Sequence, residues 1–471
     1  MTSNTPADAP KAINPMERIA RHVVETRLAD LPAGTVQKIQ TFLLDTIGVG
    51  IAGSRGAGVP ELIDVARGWG DKPEATVWLT GEKMSAQSAA IVNAYQVHCL
   101  EFDCVHEGAV LHPMATILSA VMAWAEREAA RGSTVSGAQL IPALAVGVDV
   151  STMLGIVTDA PIRFFRPATA GGFGAVAALA NLQGFDQRQV MDAMGAQYAQ
   201  ACGTLQPHVE GSPMLGMQVG FNSAAAIRSV DLAKAGFRGP HDIMTGQYGY
   251  FRLFEEDSED LASFLPTLGR EWQIDAMSHK PWPTGRLTHG AVDGLGQILA
   301  REGLTPADVA KVEVKVPALN YRLVGRPVIA DPEPNYAKLC LRFVAGIFLA
   351  KGAVDVPDFL GEALLDPSVH DFASRIDVVL DEANPDMNAL NPQTITVTTT
   401  TGTVHTVHLP YVFGSPENPL TPEQNEEKFR RCATYGRAPL VDPQKLIDAV
   451  AGLENLSDVS TLARMTTGQE A

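Results

Sequence analysis

Between His98 and Pro113 the chain reads His-Cys-Leu-Glu-Phe-Asp-Cys-Val-His-Glu-Gly-Ala-Val-Leu-His-Pro, which sets His98, His106 and His112 beside Glu101, Asp103 and Glu107 in a glycine-containing connection. Titratable side chains at this density can hold a metal ion. They can also move a proton at the carbon next to a carboxylate while nearby cations carry the negative charge that develops. The spacings His-x7-His and His-x5-His match neither a helix-borne metal pair nor a zinc knuckle, and Cys99 and Cys104 are not spaced as a knuckle either. The expectation is acid–base chemistry without a metal. No Gly-x-Ser-x-Gly elbow and no Cys/His signature offers a covalent nucleophile.

Proton transfer on an anion needs cations as much as it needs a base. The candidates are Arg163 and Arg166 in a Phe-Phe-Arg-Pro turn, Lys280 and Arg286 around a Lys-Pro-Trp-Pro turn, and Arg322 after Tyr321. Each residue type is ordinarily a surface charge, but loops beside Pro and Gly turns are where function concentrates. His289, opening a helix, and His208, in a loop, read equally well as structural histidines. The glycines Gly171, Gly172 and Gly174 do not make a phosphate loop, because no strand precedes them and no Lys-Ser/Thr follows. They suit the tight packing of the Ala-rich helix they open.

Amphipathic helices must position these residues. Ile19, Val23, Val24, Leu28, Val36, Ile39, Phe42, Leu43 and Ile47 recur at three- and four-residue steps, broken by Pro32 and Gly34. One strand is expected at Ala75 to Leu79, then a helix from Ser85 leading into the His98 stretch. Helices follow over Ala115 to Glu128, Ala138 to Leu154, Ala175 to Leu182, Val190 to Gln200 and Ala224 to Ala235, with Cys202 to Asn222 read as a Gly/Pro-rich connection. The acidic run Arg252 to Asp260 reads as a solvated face. Near His279 the character changes: Val312, Val314 and Val316 alternate as a strand, Ala337 to Leu349 is helical, and Ile376 to Leu380 and Thr394 to Leu409 alternate as further strands. The predicted fold is mainly α, a large helical domain (14–276 and 413–465) interrupted by a smaller α+β lid domain (277–412).

Composition bounds the partners. A formal charge of -17 over 471 residues leaves no room for a broad basic face, which argues against nucleic acid and anionic membranes. A small anionic substrate needs only two or three cations in one cleft. Five scattered cysteines suit free thiols in a reducing cytoplasm. The polar, Pro-rich start has no signal-peptide pattern, and no apolar run is expected to reach membrane-spanning length.

Several motifs in one order resemble the MmgE/PrpD family: Leu43-Leu-Asp-Thr-Ile-Gly-Val-Gly, Asn93-Ala-Tyr-Gln-Val-His-Cys-Leu-Glu-Phe-Asp, His112-Pro, Phe165-Arg-Pro-Ala-Thr-Ala-Gly-Gly-Phe-Gly-Ala and Lys280-Pro-Trp-Pro leading to Arg286-Leu-Thr-His289. The resemblance implies a helical domain and a lid with the site between them, a homodimer, no cofactor and a small carboxylate substrate; the cytoplasmic location is expected from the cysteines and the polar start. The same resemblance implies His112, Lys280 and Tyr321 as catalytic residues, with Glu101 where relatives carry an aspartate; Glu101, Arg166, Gln218 and Arg286 are read as substrate-binding residues. This sequence also departs from the pattern. Arg166 replaces the histidine of Phe-His-Pro, Val105 a threonine and Gly285 a histidine, and Gly216-Met-Gln-Val-Gly-Phe-Asn lacks the lysine and histidine of Lys-x-Leu-His-x-Gly. An arginine is a poor base but a good bidentate carboxylate clamp. The resulting expectation is dehydratase- or decarboxylase-like lyase chemistry on a di- or tricarboxylate-like acid. An isomerase or epimerase moving one proton, and a catalytically silent binder, are the alternatives.

Overall fold

The computed structural model describes residues 14–256, 258 and 260–468. The polar start of the chain, read above for its lack of a signal-peptide pattern, lies outside the described residues, as do Asp257 and Glu259 of the acidic run.

The chain is mainly α. Its first part packs α1 (Pro15–Glu25), α2 (Ala33–Gly53), α3 (Ala86–His98), α4 (Pro113–Ala130), α5 (Gly137–Ile156), α6 (Gly171–Gln183), α7 (Gln187–Tyr198) and α8 (Met214–Lys234) around one apolar cluster. Local chemistry sets the starts. The Asn14 side chain accepts from Met16 N at the head of α1, Ser85 from Ser88 N at the head of α3, and reciprocal Ser136–Gln139 and Asp186–Gln189 pairs cap α5 and α7. Close approach sets the packing. A Cβ at Gly174 would stand 2.4 Å from the Gly147 carbonyl oxygen, so α5 and α6 meet at a distance only glycine permits.

Several expectations change here. Helix α8 begins at Met214, within the stretch read as a connection. The glycines that suggested a loop are contact points: a Cβ at Gly220 would lie 2.8 Å from the Ile91 carbonyl oxygen of α3. The strand expected over Ala75 to Leu79 is only β1 (Ala75–Thr76), paired with β2 (Lys83–Met84). Helix α5 is long and apolar enough by composition to cross a membrane, contrary to expectation, but 89% of its apolar window is buried in the helical core. The acidic run is not wholly a solvated face either, because Glu255 is buried.

Two short strands connect the first part of the chain to the second. β3 (Val105–His106) pairs antiparallel with β4 (Met277–Ser278), in the register Val105 to Ser278 and His106 to Met277. Beyond β4 stand α9 (His289–Glu302), β5 (Val309–Val316), α10 (Leu341–Lys351), α11 (Pro367–Ser374), β6 (Ile376–Leu380), β7 (Gln393–Thr399) and β8 (Val404–Leu409). The sheet order is β6-β5-β7-β8, with β5 and β6 parallel and the other pairs antiparallel. Alternate residues Val312, Val314 and Val316 are buried, as a half-covered sheet requires, and with Ile395 and Leu295 they form a second apolar cluster. The closing helices α12 (Pro422–Tyr435) and α13 (Pro443–Ala451) return to the first cluster through Phe429 and Leu446.

Candidate active site

The His98 to His112 stretch is held at both ends by helices. His98 is the last residue of α3, and His112 precedes Pro113 at the head of α4, where proline fits because that N–H has no helical partner. Two residues between them hold left-handed backbone conformations that non-glycine residues rarely adopt, Glu101 at φ 52° and Val110 at φ 49°. The β3–β4 pairing then lays Lys280 against this wall.

Asp103, fully buried, is the hub. Its Oδ2 lies 2.9 Å from Nδ1 of His98 and 3.4 Å from Nδ1 of His112, and its Oδ1 lies 3.7 Å from Nζ of Lys280. Lys280 Nζ donates to Glu101 Oε2 at 3.0 Å, and Glu101 Oε1 faces His98 Nε2 at 3.5 Å. His112 Nδ1 also lies 3.1 Å from the Cys104 carbonyl oxygen. A carbonyl oxygen only accepts, so Nδ1 carries the proton and Nε2 keeps the free lone pair.

These contacts set the charge states. Burial opposes ionisation of Glu101, but Lys280, His98 and His112 outweigh it and hold the carboxyl at about 2. Asp103 is held well below its ordinary value in the same way, by His98, His112 and Lys280 against burial. Burial would lower His98, yet Asp103 and Glu101 raise it. Burial and then Lys280 lower His112, with Asp103 opposing. At neutral pH the cluster therefore presents a neutral imidazole beside an ion-paired lysine, the state a general base requires.

A cavity of about 100 Å³ opens beside this cluster, lined by Glu101, His112, Arg166, His208, Gly285 and Arg286 among others. A larger hollow of about 600 Å³ runs along α2 and the start of α12, past Lys38, Asp45 and His279, and none of the expected site residues lines it.

Glu101, His112 and Lys280 thus come together, and Arg166 and Arg286 reach the same cavity wall. The two arginines do not present free forks. Arg166 Nε lies 3.1 Å from both Glu255 carboxylate oxygens, its Nη2 lies 2.7 Å from Oε2, and Nη1 donates to the Ala109 carbonyl at 3.1 Å. Arg286 donates to Glu107 at 2.7 Å and to the carbonyls of Phe413 and Val412. Gln218 is engaged elsewhere: its Oε1 accepts from Thr204 N and its Nε2 donates to the Thr204 carbonyl, so it pins a backbone turn. Tyr321 is 46% exposed and does not line the cavity, although Leu323 and Val324 of the same short helix do.

Other residues gain definite surroundings. His106 Nδ1 accepts from Ala109 N and its Nε2 meets Gln273, a loop-fixing role; burial lowers it to about 4. Arg163 pairs with Glu256, and His289 is buried against the Thr284 carbonyl. In the sequence Asp103 and Glu107 stand out only as members of the acid- and histidine-rich stretch, His208 reads as a structural histidine, and Glu255 lies unassigned in the acidic run. For Glu255 the readable signal is that an arginine at the buried Phe-Arg-Pro position requires an acid, and an acidic run lies downstream. His98, Asp103 and His112 offer ligand atoms within 4.8 Å of one another, a spacing that could hold a cation. The Lys280 ammonium beside Asp103 disfavours that use of the site.

Comparison with known proteins finds matches along nearly the whole chain. The family model for the MmgE/PrpD N-terminal domain matches residues 17–260, and that for the MmgE/PrpD C-terminal domain matches residues 282–454. A cis-aconitate decarboxylase of Homo sapiens is 25% identical over 474 residues, covering 96% of this chain and 94% of that protein. The cis-aconitate decarboxylase-like protein oryM of Aspergillus oryzae is 26% identical, covering 99% and 100%. A cis-aconitate decarboxylase of Aspergillus terreus is 23% identical, covering 93% and 92%.

Proposed function

Because the chain belongs to the MmgE/PrpD family and a neutral histidine on its cavity wall shares one buried cluster with Lys280 just behind that wall, we propose that it is a lyase acting on a small carboxylic acid by proton transfer. The observation that carries this reading is the Asp103 hub, which orients His112 through Nδ1 and leaves Nε2 as the base while Lys280 stands alongside. His112 Nε2 takes the proton from the carbon α to the substrate carboxylate. The electron pair left behind forms the carbon–carbon double bond as a β-hydroxyl departs, and Lys280 gives the departing hydroxide its proton, releasing water. In a decarboxylation the bond to a carboxylate breaks instead, carbon dioxide leaves, and the electron pair takes a proton from the same set. The curated relatives bear the name of that second reaction.

The reading includes residues 277–412 as a lid over the helical part. Support comes from the cavity, whose walls draw on both apolar clusters, Phe165 and Leu215 from the first and Leu287 and Val324 from the second. A homodimer belongs to the same proposal through the family resemblance, and a cytoplasmic location through the five scattered cysteines.

The test is incubation with a panel of carboxylic acids in deuterium oxide, followed by proton NMR. A new alkene or released carbon dioxide supports the lyase. Deuterium incorporation without net conversion would replace it with an isomerase, and an unchanged panel would favour a silent binder. His112→Asn should lower turnover by roughly 10²–10⁴-fold.

A further inference from the structure

The charges around the cavity are nearly all answered by the protein itself. Glu101 and Asp103 face Lys280 and His98, Glu255 faces Arg166, and Glu107 faces Arg286. Two cations among the described residues near the cavity pair with no carboxylate: Lys338, whose Nζ donates to the Cys99 carbonyl at 2.8 Å, and Arg326. Arg326 Nη2 donates to His208 Nδ1 at 3.0 Å and to the carbonyls of Leu323 and His208 at 3.0 and 3.3 Å, and its guanidinium packs over the Tyr336 ring. Its Nη1 is buried with no hydrogen-bond partner, and among the described residues no carboxylate forms an ion pair with it. Buried donors in native proteins are nearly always satisfied, so an orphan guanidinium nitrogen asks for an acceptor.

Arg326 stands one side chain behind the cavity. His208 lines the cavity, and burial and Arg326 lower it to about 4, so the ring is neutral. With Nδ1 accepting from Arg326, the ring proton sits on Nε2. Much of the remaining wall is apolar, including Val110, Ile162, Phe164, Leu205, Leu339 and Leu390. The volume, about 100 Å³, is well below the roughly 300–1,000 Å³ of sites for drug-sized ligands.

Resting on the proposed reading of this cavity as the substrate site, we infer that it takes a short acid with one carboxylate and an apolar body, the carboxylate answering the His208–Arg326 pair. A tricarboxylate would bring further charges into a space whose other cations are already committed, and each would be buried without a partner. Elimination across the α and β carbons, or a shift of one proton, leaves the anchoring carboxylate in place. Loss of carbon dioxide from a single-carboxylate acid would remove the anchor, so the inference favours the dehydration branch.

The test compares 3-hydroxybutyrate and crotonate with cis-aconitate and citrate, each followed by NMR in deuterium oxide. The expected result is conversion or exchange of the monocarboxylates with kcat/KM at least about a hundredfold above either tricarboxylate. Arg326→Leu should raise KM for the monocarboxylate roughly tenfold or more with kcat changed by less than about twofold, and Arg326→Lys should recover part of that loss. A merely structural arginine would instead lower thermal stability and kcat together, which would overturn its assignment as the anchor. Preferential turnover of cis-aconitate would overturn the one-carboxylate inference while leaving the lyase reading standing. Inertness toward every acid in the panel would remove the lyase reading and the inference with it.

Discussion

Lys280 Nζ donates to Glu101 Oε2 across 3.0 Å, although the two residues stand 179 positions apart in the chain. The lysine is fully buried, and the glutamate nearly so, in an uncommon left-handed backbone conformation. Breaking one side of a buried ion pair leaves the other charge uncompensated. Glu101→Gln is therefore expected to lower unfolding stability by roughly 3–5 kcal/mol, read by urea denaturation, and to reduce turnover. A loss below about 1 kcal/mol would mean that Asp103 alone, at 3.7 Å, is partner enough for Lys280.

The same carboxylate makes stability depend on acidity. Its value falls from 4.5 to about 2 in the folded protein. A depressed carboxyl contributes stability that is fully present above its unfolded value and is lost as pH falls through the folded one. Stability should thus decline between about pH 4.5 and pH 2, with Glu101 contributing about 3 kcal/mol of the loss. Urea midpoints measured across that window should fall less steeply in Glu101→Gln than in the unaltered protein.

Catalysis should show a different profile. His112 is lowered from its ordinary value by burial and by Lys280, so its basic form persists below the usual histidine range. The acid limb of kcat/KM is expected below about pH 6.5. A limb above that value would show that another group is the base.

Arg166 and Glu255 should behave as a unit. Arg166→Met alone takes away the bidentate cation of a buried carboxylate and is expected to cost roughly 3–5 kcal/mol, whereas Arg166→Met with Glu255→Gln should recover much of it. A double-mutant cycle with a coupling energy near zero would contradict the bidentate geometry.

The sequence and the structure agree where the physics is local and part where it depends on distant partners. Helices with capping residues and three- to four-residue apolar steps, such as α1, α3 and α5, were readable directly, and so were the alternating strands β5 to β8. The start of α8 was not. Gly216 and Gly220 are loop signals in isolation and become helix contacts only once Tyr95 and Ile91 lie against them. The density of acids and histidines in one stretch made the wall around His112 legible, whereas Asp103 emerged as its hub only from the geometry. Arg166 looked like an available clamp because its partner stands 89 positions away in a run of acids that seemed solvated. Gln218 and Tyr321 followed from motif position, which says nothing of where a side chain is engaged or how exposed it is.

The distance along the chain between Glu101 and Lys280 also has a meaning in time. At roughly 5–20 residues per second of synthesis, the glutamate emerges about ten to thirty-five seconds before its lysine. During that interval Glu101 and Asp103 lack the ammonium that answers them in the finished protein, and they must stay hydrated or protonated. The wall around His112 thus cannot take its working charge state until the chain has been made past Lys280, however early the helices on either side of it form.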